Sequence, residues 1–215
     1  MHCLIFDTET TGLPVNNPST NETSKWPFVI QLSYIVLNVK TNSIVSFQND
    51  YIKIPNHVKI DEKALSVHGI TKEYLNENGI NIRKALFKFR RYLNLCKIVV
   101  GHNIMFDKKM MMVEFNRNNM MHQFCNSKTY VCTMKTNIEF CNIIKMGKNN
   151  KEYKKYPSLL ELFNILFPNE KVENLHNSFA DILITLRCYY KQKHNNDLYY
   201  TNRRYKKLYT NFCGL

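Results

Sequence analysis

Two carboxylates stand close together near the start of the chain, where a short apolar run meets a turn. Residues 3–6 are apolar, Asp7 and Glu9 follow, and the segment breaks at Gly12. Residues two apart in a strand project from the same face, so the two carboxylates should converge. A cation would relieve their repulsion, and hard carboxylate oxygens suit Mg²⁺ or Mn²⁺. The alternative interpretation is a polar strand end that enters a turn.

Two further carboxylates occupy comparable positions later in the chain. Asp107 follows a short apolar run at residues 98–100 and stands at the start of a predicted helix. Asp181 lies in the first turn of the last long helix, five residues after His176. Strand ends and helix starts are places where side chains from distant segments can meet in one cleft. The alternatives are acids that interact only with the helix dipole, and a histidine that caps a helix at the surface.

The order of the predicted elements favours an α/β fold with a mixed sheet flanked by helices. After the first strand, residues 28–39 read as a buried strand and residues 43–54 as its hairpin partner. Apolar side chains at steps of three and four predict a helix over 82–96, and short strands follow at 98–100 and 130–133. The hairpin strand should be the antiparallel member of the sheet.

Local signals mark several helix boundaries. Asp61 should cap a short helix that stops at Gly69. Ser158 and Glu161 form a capping-box pattern that opens another helix, and the last long helix should run over residues 178–191.

Two basic segments lie outside these elements. Residues 145–155 contain five lysines and are predicted to form a flexible loop, and residues 203–207 form a second basic cluster. Both could hold phosphates while tyrosines stack on bases, and a solvated basic surface is the alternative. We expect a first domain over residues 1–194, with residues 195–215 forming a basic, tyrosine-rich extension packed on it.

The composition describes a folded and strongly basic protein. Hydrophobic residues make up 44% of the chain, and 30 lysines and arginines against 17 acids give a formal charge of +13. Such a surplus favours a polyanionic partner, with nucleic acid before an acidic membrane surface. A basic protein without a specific partner is the alternative.

The cysteines and the N-terminus bear on the cellular compartment. Seven cysteines without a C-x-x-C pair argue against a disulfide framework and a zinc knuckle. Asp7 and Glu9 interrupt the apolar segment that a signal peptide needs, and no run approaches the ~18 residues of a membrane span. We therefore expect an intracellular protein of a reducing compartment, cytoplasm or nucleus, that is not secreted and has no membrane partner.

Taken in order, the three acidic segments resemble the three motifs of the DEDDh family of 3′→5′ exonucleases, which includes the proofreading subunit of bacterial replicative DNA polymerase and the mammalian three-prime repair exonucleases. The matching segments are Asp7-x-Glu9-Thr10-Thr11-Gly12-Leu13, His102-Asn103-x-x-Phe106-Asp107 and His176-x-x-x-x-Asp181. Residues 67–71 also resemble a segment of the polymerase-proofreading branch. The resemblance covers about residues 3–190. It implies an RNase H-like fold with a mixed sheet of about five strands, one of them antiparallel.

The resemblance also implies a two-metal site and a role for each acid. Asp7 would bridge two Mg²⁺ or Mn²⁺ ions, Glu9 and Asp181 would complete one metal site, and Asp107 would support the other. His176 would take the proton from the attacking water, and a reference pKa near 6.5 suits an imidazole to that task.

The substrate-binding residues follow from the same resemblance. The backbone of Thr10 and the side chain of Glu9 would lie near the terminal ribose, and Leu13 would wedge against the last base. His68 and Asn103 would lie near the terminal nucleotide. The residues alone leave simpler alternatives open: a core leucine, a turn histidine and a helix-capping asparagine.

These features together predict a metal-dependent 3′→5′ exonuclease of the proofreading or repair type. It would release nucleoside 5′-monophosphates from single-stranded or frayed DNA, alone or with a DNA polymerase or a second copy of the chain. One alternative is an exoribonuclease that trims RNA ends, and another is a non-catalytic module that binds nucleic acid or a polymerase. Ser178 and Ile182 stand where the family often has alanine, and neither change removes an acid.

Overall fold

A five-stranded mixed sheet forms the centre of the computed structural model, which describes residues 1–125 and 127–214. The strands are β1 (His2–Thr10), β2 (Val29–Asn38), β3 (Ser43–Tyr51), β4 (Ile98–Gly101) and β5 (Thr129–Cys132), in the order β3-β2-β1-β4-β5. β2 pairs antiparallel with both β1 and β3, whereas β1, β4 and β5 are parallel. β2 therefore runs against the other four strands, and the predicted mixed sheet with one antiparallel strand is confirmed.

Helices cover both faces of this sheet. They are α1 (Glu62–His68), α2 (Lys72–Asn78), α3 (Ile82–Leu95), α4 (Ile104–Arg117), α5 (Thr133–Thr136), α6 (Ile138–Cys141), α7 (Leu159–Leu166), α8 (Ser178–His194), α9 (Leu198–Thr201) and α10 (Arg203–Cys213), with a 3₁₀ turn at Thr23–Lys25. α3 and α4 pack on one face, and α7, α8 and α10 pack on the other. Among the described residues, no helix combines the length and the apolar character that crossing a bilayer requires.

β1 divides the hydrophobic core between the two faces. Cys3 and Ile5 are buried against α8, whereas Leu4 and Phe6 are buried against α3 and α4. The same alternation continues past the apolar run, so Asp7 and Glu9 project from the face that α8 covers. The strand period thus directs both acids towards the start of α8.

The short length of β4 opens a cleft beside the second half of β1. β4 pairs with β1 only at residues 3–5 and ends at Gly101. A Cβ atom at Gly101 would lie 2.7 Å from Cδ1 of Ile104 and 3.1 Å from the carbonyl oxygen of Phe6. Glycine therefore lets the chain turn from β4 into α4 close against β1, and α4 can then direct a side chain into the cleft.

The predicted helix boundaries agree with the caps in the structure. The side chain of Asp61 accepts hydrogen bonds from the backbone at the start of α1, and Gly69 ends that helix in the left-handed conformation, with φ of 68°. Ser158 and Glu161 form the expected capping box of α7. α8 begins at the predicted residue and continues to His194, beyond the predicted end at residue 191.

The lysine-rich segment is more ordered than its composition suggests. It forms a hairpin of β6 (Ile144–Met146) and β7 (Glu152–Lys154), so the prediction of a flexible loop over residues 145–155 was wrong. The backbone N–H of Gly147 donates to the carbonyl of Lys151, and Asn150 takes the left-handed conformation, with φ of 53°. Asparagine tolerates this conformation well, which allows the turn to close.

The C-terminal segment packs into the core formed by α7 and α8. Tyr205, Tyr209 and Cys213 are buried there, and the hydroxyl of Tyr205 donates to the carbonyl of Leu183 at 2.7 Å. Leu215, the last residue of the predicted extension, lies outside the described residues.

Candidate active site

Three carboxylates converge at the end of β1. One oxygen each of Asp7, Glu9 and Asp181 lies within 4.8 Å of the other two, and all three residues are half-buried. β1 supplies the first two residues from one face, and the first turn of α8 supplies the third. A single divalent cation could bind all three oxygens at this spacing.

A fourth acid reaches the same place from α4. Asp107 is buried, and its Oδ1 accepts hydrogen bonds from the backbone N–H of Thr8 at 3.0 Å and from the Thr8 hydroxyl at 2.8 Å. Thr8 lies between Asp7 and Glu9 in the chain. The two bonds therefore fix the start of α4 beside the acid pair of β1.

Burial raises the pKa of every carboxyl in this cluster, and repulsion between acids adds to the rise for Asp7, Glu9 and Asp181. Burial raises the pKa of Glu9 to about 8, and repulsion from Asp181 and Asp107 adds to the effect. The pKa of Asp7 is raised well above its usual range by burial first and then by the other three acids. Burial raises the pKa of Asp107 and of Asp181 to about 7, although hydrogen bonds to the backbone or to Thr8 oppose the rise. A bound cation would favour the charged forms instead.

The donor set fits a hard divalent cation. Oδ1 of Asp181 is buried and has no hydrogen-bond partner among the described residues. An unsatisfied buried acceptor costs about 1–3 kcal/mol, which a cation would offset. Carboxylate oxygens alone, without histidine or cysteine in the group, match the preference of Mg²⁺ or Mn²⁺.

A cleft of about 440 Å³ opens beside Glu9. Thr10, Leu13 and His68 line it, together with Val67 and Phe106. Such a volume is typical of small-molecule sites and suits one nucleotide. Three of the four predicted substrate-binding residues therefore surround one cavity that adjoins the acids.

Leu13 and His68 both line this cleft, and the structure shows the surroundings of each side chain. Leu13 is 80% exposed, so the alternative of an ordinary core leucine was wrong. Nδ1 of His68 accepts a hydrogen bond from the backbone of Ile70 at 3.0 Å, so in the neutral ring Nε2 carries the proton. Burial lowers the pKa of His68, and the backbone of Thr10 beside the ring opposes the shift.

Asn103 and His176, two of the predicted site residues, have exposed side chains. Asn103 takes the N-cap position of α4 with φ of 63°, an exposed side chain and no capping hydrogen bond from that side chain. His176 lies in the turn before α8, with φ of 66° and an exposed side chain, and its backbone faces the carboxylate of Asp181. Its main chain is thus held at the site while its ring is open to solvent.

His102 has a structural role in the same region. Its ring lies between Oγ1 of Thr133 at 3.0 Å and the carbonyl oxygen of Pro157 at 3.1 Å. Because a carbonyl only accepts, Nε2 donates to Pro157. Burial lowers the pKa of His102 to about 4, so the ring stays neutral and joins three chain segments at the end of β4.

A buried polar network behind the acids was not predicted from the sequence. On β2, Ser33 pairs with Asp7 and Gln31 with Glu9, and both β2 residues are buried. The Ser33 hydroxyl bonds to the hydroxyl of Ser178 at 2.6 Å, and Oε1 of Gln31 accepts from the backbone N–H of Ser178 at 3.2 Å. Ser178, which stands where the family often has alanine, thus has a hydrogen-bond partner on β2.

Asn177 completes this network at the first turn of α8. Its Oδ1 accepts from Nε2 of Gln31 at 3.3 Å and from the backbone N–H of Phe179 at 3.1 Å. The residues of the network come from segments far apart in the chain, with no local pattern that links them. Val67 and Phe106, by contrast, lie within the segments that carry the family resemblance and could have been proposed for the cleft.

Known proteins resemble this chain in sequence and in fold. The DNA polymerase III PolC-type of Mycoplasma genitalium is 32% identical over 116 residues, which are 54% of this chain and 7% of that protein. The crystal structure of Escherichia coli exonuclease I with a dT13 oligonucleotide has a TM-score of 0.67 at 16% identity, covering 90% of this chain and 42% of that chain. Cell-death related nuclease 4 has a TM-score of 0.65 at 13% identity, covering 92% and 65%.

These relatives are longer than this chain, which spans a small part of the polymerase and less than half of exonuclease I. The two solved structures share the fold. The exonuclease family model matches residues 4–189, a range that includes all four acids, His176 and the cleft. The chain therefore belongs to the exonuclease family.

Proposed function

We propose that this chain is a metal-dependent 3′→5′ exonuclease that releases nucleoside 5′-monophosphates from single-stranded or frayed DNA ends. The observation that carries the proposal is the convergence of Asp7, Glu9 and Asp181 beside a cleft of nucleotide size. Catalysis needs the scissile phosphate at the acids and the terminal nucleoside bound next to them. The cleft and the cluster adjoin at Glu9, which supports this arrangement.

The terminal nucleotide would lie in the cleft with its base against Leu13. The backbone of Thr10 and the side chain of Glu9 would lie near the ribose, and His68 and Asn103 would lie near the terminal nucleotide. Asp7, Glu9, Asp107 and Asp181 would hold the cations, which supply charge stabilisation and an activated water when bound. The exposed ring of His176 would receive the proton of the attacking water and close over the site when substrate binds.

The choice of DNA rests on the known proteins. The PolC-type relative is named as a DNA polymerase, and exonuclease I has been crystallised with deoxyoligonucleotides. Both support a deoxyribose substrate for this chain, and the first supports action together with a DNA polymerase. Single-stranded or frayed ends are favoured because a cleft of this size accepts one nucleotide without its pairing partner.

The test uses 5′-labelled single-stranded DNA and RNA of one sequence with Mg²⁺ or Mn²⁺. Asp7→Asn keeps the shape of the side chain and removes one charge at the centre of the cluster. We expect the wild type to shorten the DNA from its 3′ end in one-nucleotide steps, and Asp7→Asn to lose this activity by at least about 10³-fold.

Three results would contradict the proposal. Faster shortening of RNA would favour the exoribonuclease, and full activity of Asp7→Asn would mean that the cluster is not the site. Intact substrates that are nevertheless bound by the wild type would favour a binding module.

A further inference from the structure

The β6–β7 hairpin projects from the end of the sheet at which the acids lie. The chain leaves this end after β5, where Thr133 bonds to His102. It returns there at Pro157, which bonds to the other nitrogen of the same ring. The backbone N–H of Lys155 donates to the carbonyl of Ile143 and closes the base of the hairpin two residues before Pro157. The hairpin is therefore anchored next to the segment that leads into Asp107.

One face of this hairpin combines an aromatic ring with lysines. Lys145 and Tyr153 are direct partners across the strand pair, so their side chains share a face. A Cβ atom at Gly147 would lie 3.6 Å from the ring of Tyr153, so the ring lies against the glycine, and Tyr153 remains 51% exposed. Lys151 precedes Tyr153 by two residues and extends the same face in the extended chain.

The lysines of the hairpin divide into two groups. Lys154 forms an ion pair with Glu139, and Lys155 with Glu161, so these two help to hold the hairpin on the domain. In the described part of the chain, Lys145, Lys148 and Lys151 form no ion pair. Three unpaired positive charges close together repel one another, and a polyanion would relieve that repulsion.

We propose that this hairpin binds the single strand that leads into the active site. A base upstream of the 3′-terminal nucleotide stacks on Tyr153, and the phosphates on either side bind Lys145, Lys148 and Lys151. Aromatic rings flanked by lysines suit single strands because every base has a face to stack and every nucleotide carries a phosphate. The inference rests on the proposed function for the direction of the strand.

Binding can be measured without hydrolysis, as fluorescence anisotropy of a labelled 16-nucleotide single-stranded DNA in EDTA. The variant Lys145→Gln/Lys148→Gln/Lys151→Gln should reduce the slope of log Kd against log salt concentration by about 2, because each phosphate contact contributes about 0.7 to that slope. The matched control is Lys40→Gln/Arg91→Gln/Lys97→Gln, which removes the same charge from exposed positions at the opposite edge of the sheet. It should leave the slope close to that of the wild type.

The stacking contact has its own pair of variants. Tyr153→Ala should raise Kd for the 16-mer at least about fivefold, whereas Tyr153→Phe keeps the ring and should stay within about twofold of the wild type. Equal losses in the two tyrosine variants would contradict stacking. Equal changes of slope in the two charge variants would show that net charge, and not the hairpin, governs binding.

Hydrolysis of substrates of two lengths separates this inference from the proposed function. With Mn²⁺, the hairpin triple variant should raise KM for the 16-mer about tenfold and leave hydrolysis of a dinucleotide within about twofold of the wild type. Unchanged KM and Kd with an active wild type would overturn the inference and leave the function intact. Hairpin-dependent binding by a wild type that hydrolyses neither substrate would support the surface and contradict the function.

Discussion

Burial is the main cause that disfavours the charged forms of the four clustered acids. Each carboxyl of the cluster has a pKa above its usual range, and repulsion from neighbouring acids adds to the effect of burial for Asp7, Glu9 and Asp181. An acid whose pKa is higher in the folded than in the unfolded state binds extra protons when folded. Without metal, the free energy of unfolding should therefore fall as the pH rises from the pKa of the unfolded state through the pKa of the folded state.

Glu9→Gln tests this pH dependence directly. The pKa of Glu9 rises from 4.5 to about 8, so its destabilising effect grows across that pH window. One unit of pKa corresponds to about 1.4 kcal/mol, and we expect the variant without metal to exceed the wild type by roughly 1–3 kcal/mol in unfolding free energy at pH 8 and by little at pH 4. Urea denaturation in EDTA at several pH values measures the difference. A constant difference at all pH values would contradict the assigned cause.

His176→Ala tests the proposed proton acceptor. Because its ring is exposed and the proposed cation ligands are other residues, the variant should keep the increase in melting temperature that we expect Mn²⁺ to give the wild type. Loss of a general base lowers kcat by about 10²–10⁴-fold, and we expect a loss in that range. Thermal unfolding with and without Mn²⁺, together with single-turnover hydrolysis, separates the two effects. A full-rate variant would remove His176 from the mechanism.

Sequence spacing is informative where one short segment carries the chemistry. Asp7 and Glu9 are adjacent on one face of one strand, and Asp181 has a fixed position in a helix turn, so their convergence could be predicted. Gln31 could not be identified in this way, because its partners Asn49 and Asn177 lie on separate elements. No local sequence pattern predicts the role of a buried glutamine in a strand.

At the scale of elements, the site depends on how the start of α8 is joined to β2. Gln31 and Ser33 stand opposite the acids of β1 and bond to the first residue of α8. Asp181 therefore keeps its distance from Asp7 through side chains that do not belong to the acid cluster. This junction therefore positions Asp181.

Gln31→Met tests the junction while keeping the length of the side chain. The change leaves the backbone N–H of Ser178 without its acceptor, and an unsatisfied buried donor costs about 1–3 kcal/mol of unfolding free energy. We also expect the concentration of Mn²⁺ for half-maximal activity to rise. Gln48→Met is the control, since Gln48 bonds to Asp50 on β3 and pairs with Tyr34 on the opposite face. Equal metal dependence in the two variants would contradict the positioning role.

Short elements were harder to predict than long ones. α3 has apolar residues along its whole length and matched its predicted span closely. β6 and β7 have three residues each, all exposed, so neither alternation nor burial could mark them. The turn from Gly147 to Asn150 was visible only as residues typical of loops.

At the scale of the whole molecule, Arg187 links the C-terminal segment to the rest of the core. The residue is fully buried on α8 and binds the carboxylates of Glu170 and Asp197, each with two hydrogen bonds. Its guanidinium also lies 4.3 Å from the centre of the Phe167 ring. Glu170 follows α7 and Asp197 caps α9, so one side chain joins three parts of the fold.

Arg187→Met should be strongly destabilising. It leaves two partly buried carboxylates without their partner, and breaking a buried ion pair costs about 3–5 kcal/mol. Lys154→Met is the control, because its pair with Glu139 is exposed and such pairs contribute about 0–1 kcal/mol. Chemical denaturation gives both values. Similar small losses would mean that the C-terminal segment does not depend on Arg187.

The most direct test of the acid cluster is the position of a bound cation. Anomalous diffraction at the manganese edge, from crystals grown with Mn²⁺ near pH 8, should give density between Asp7, Glu9 and Asp181. The same experiment on Asp181→Asn should weaken or remove it, whereas the protein fold should persist. Manganese density away from these residues, or none in an ordered wild-type crystal, would contradict a cation site at the cluster and the mechanism that depends on it.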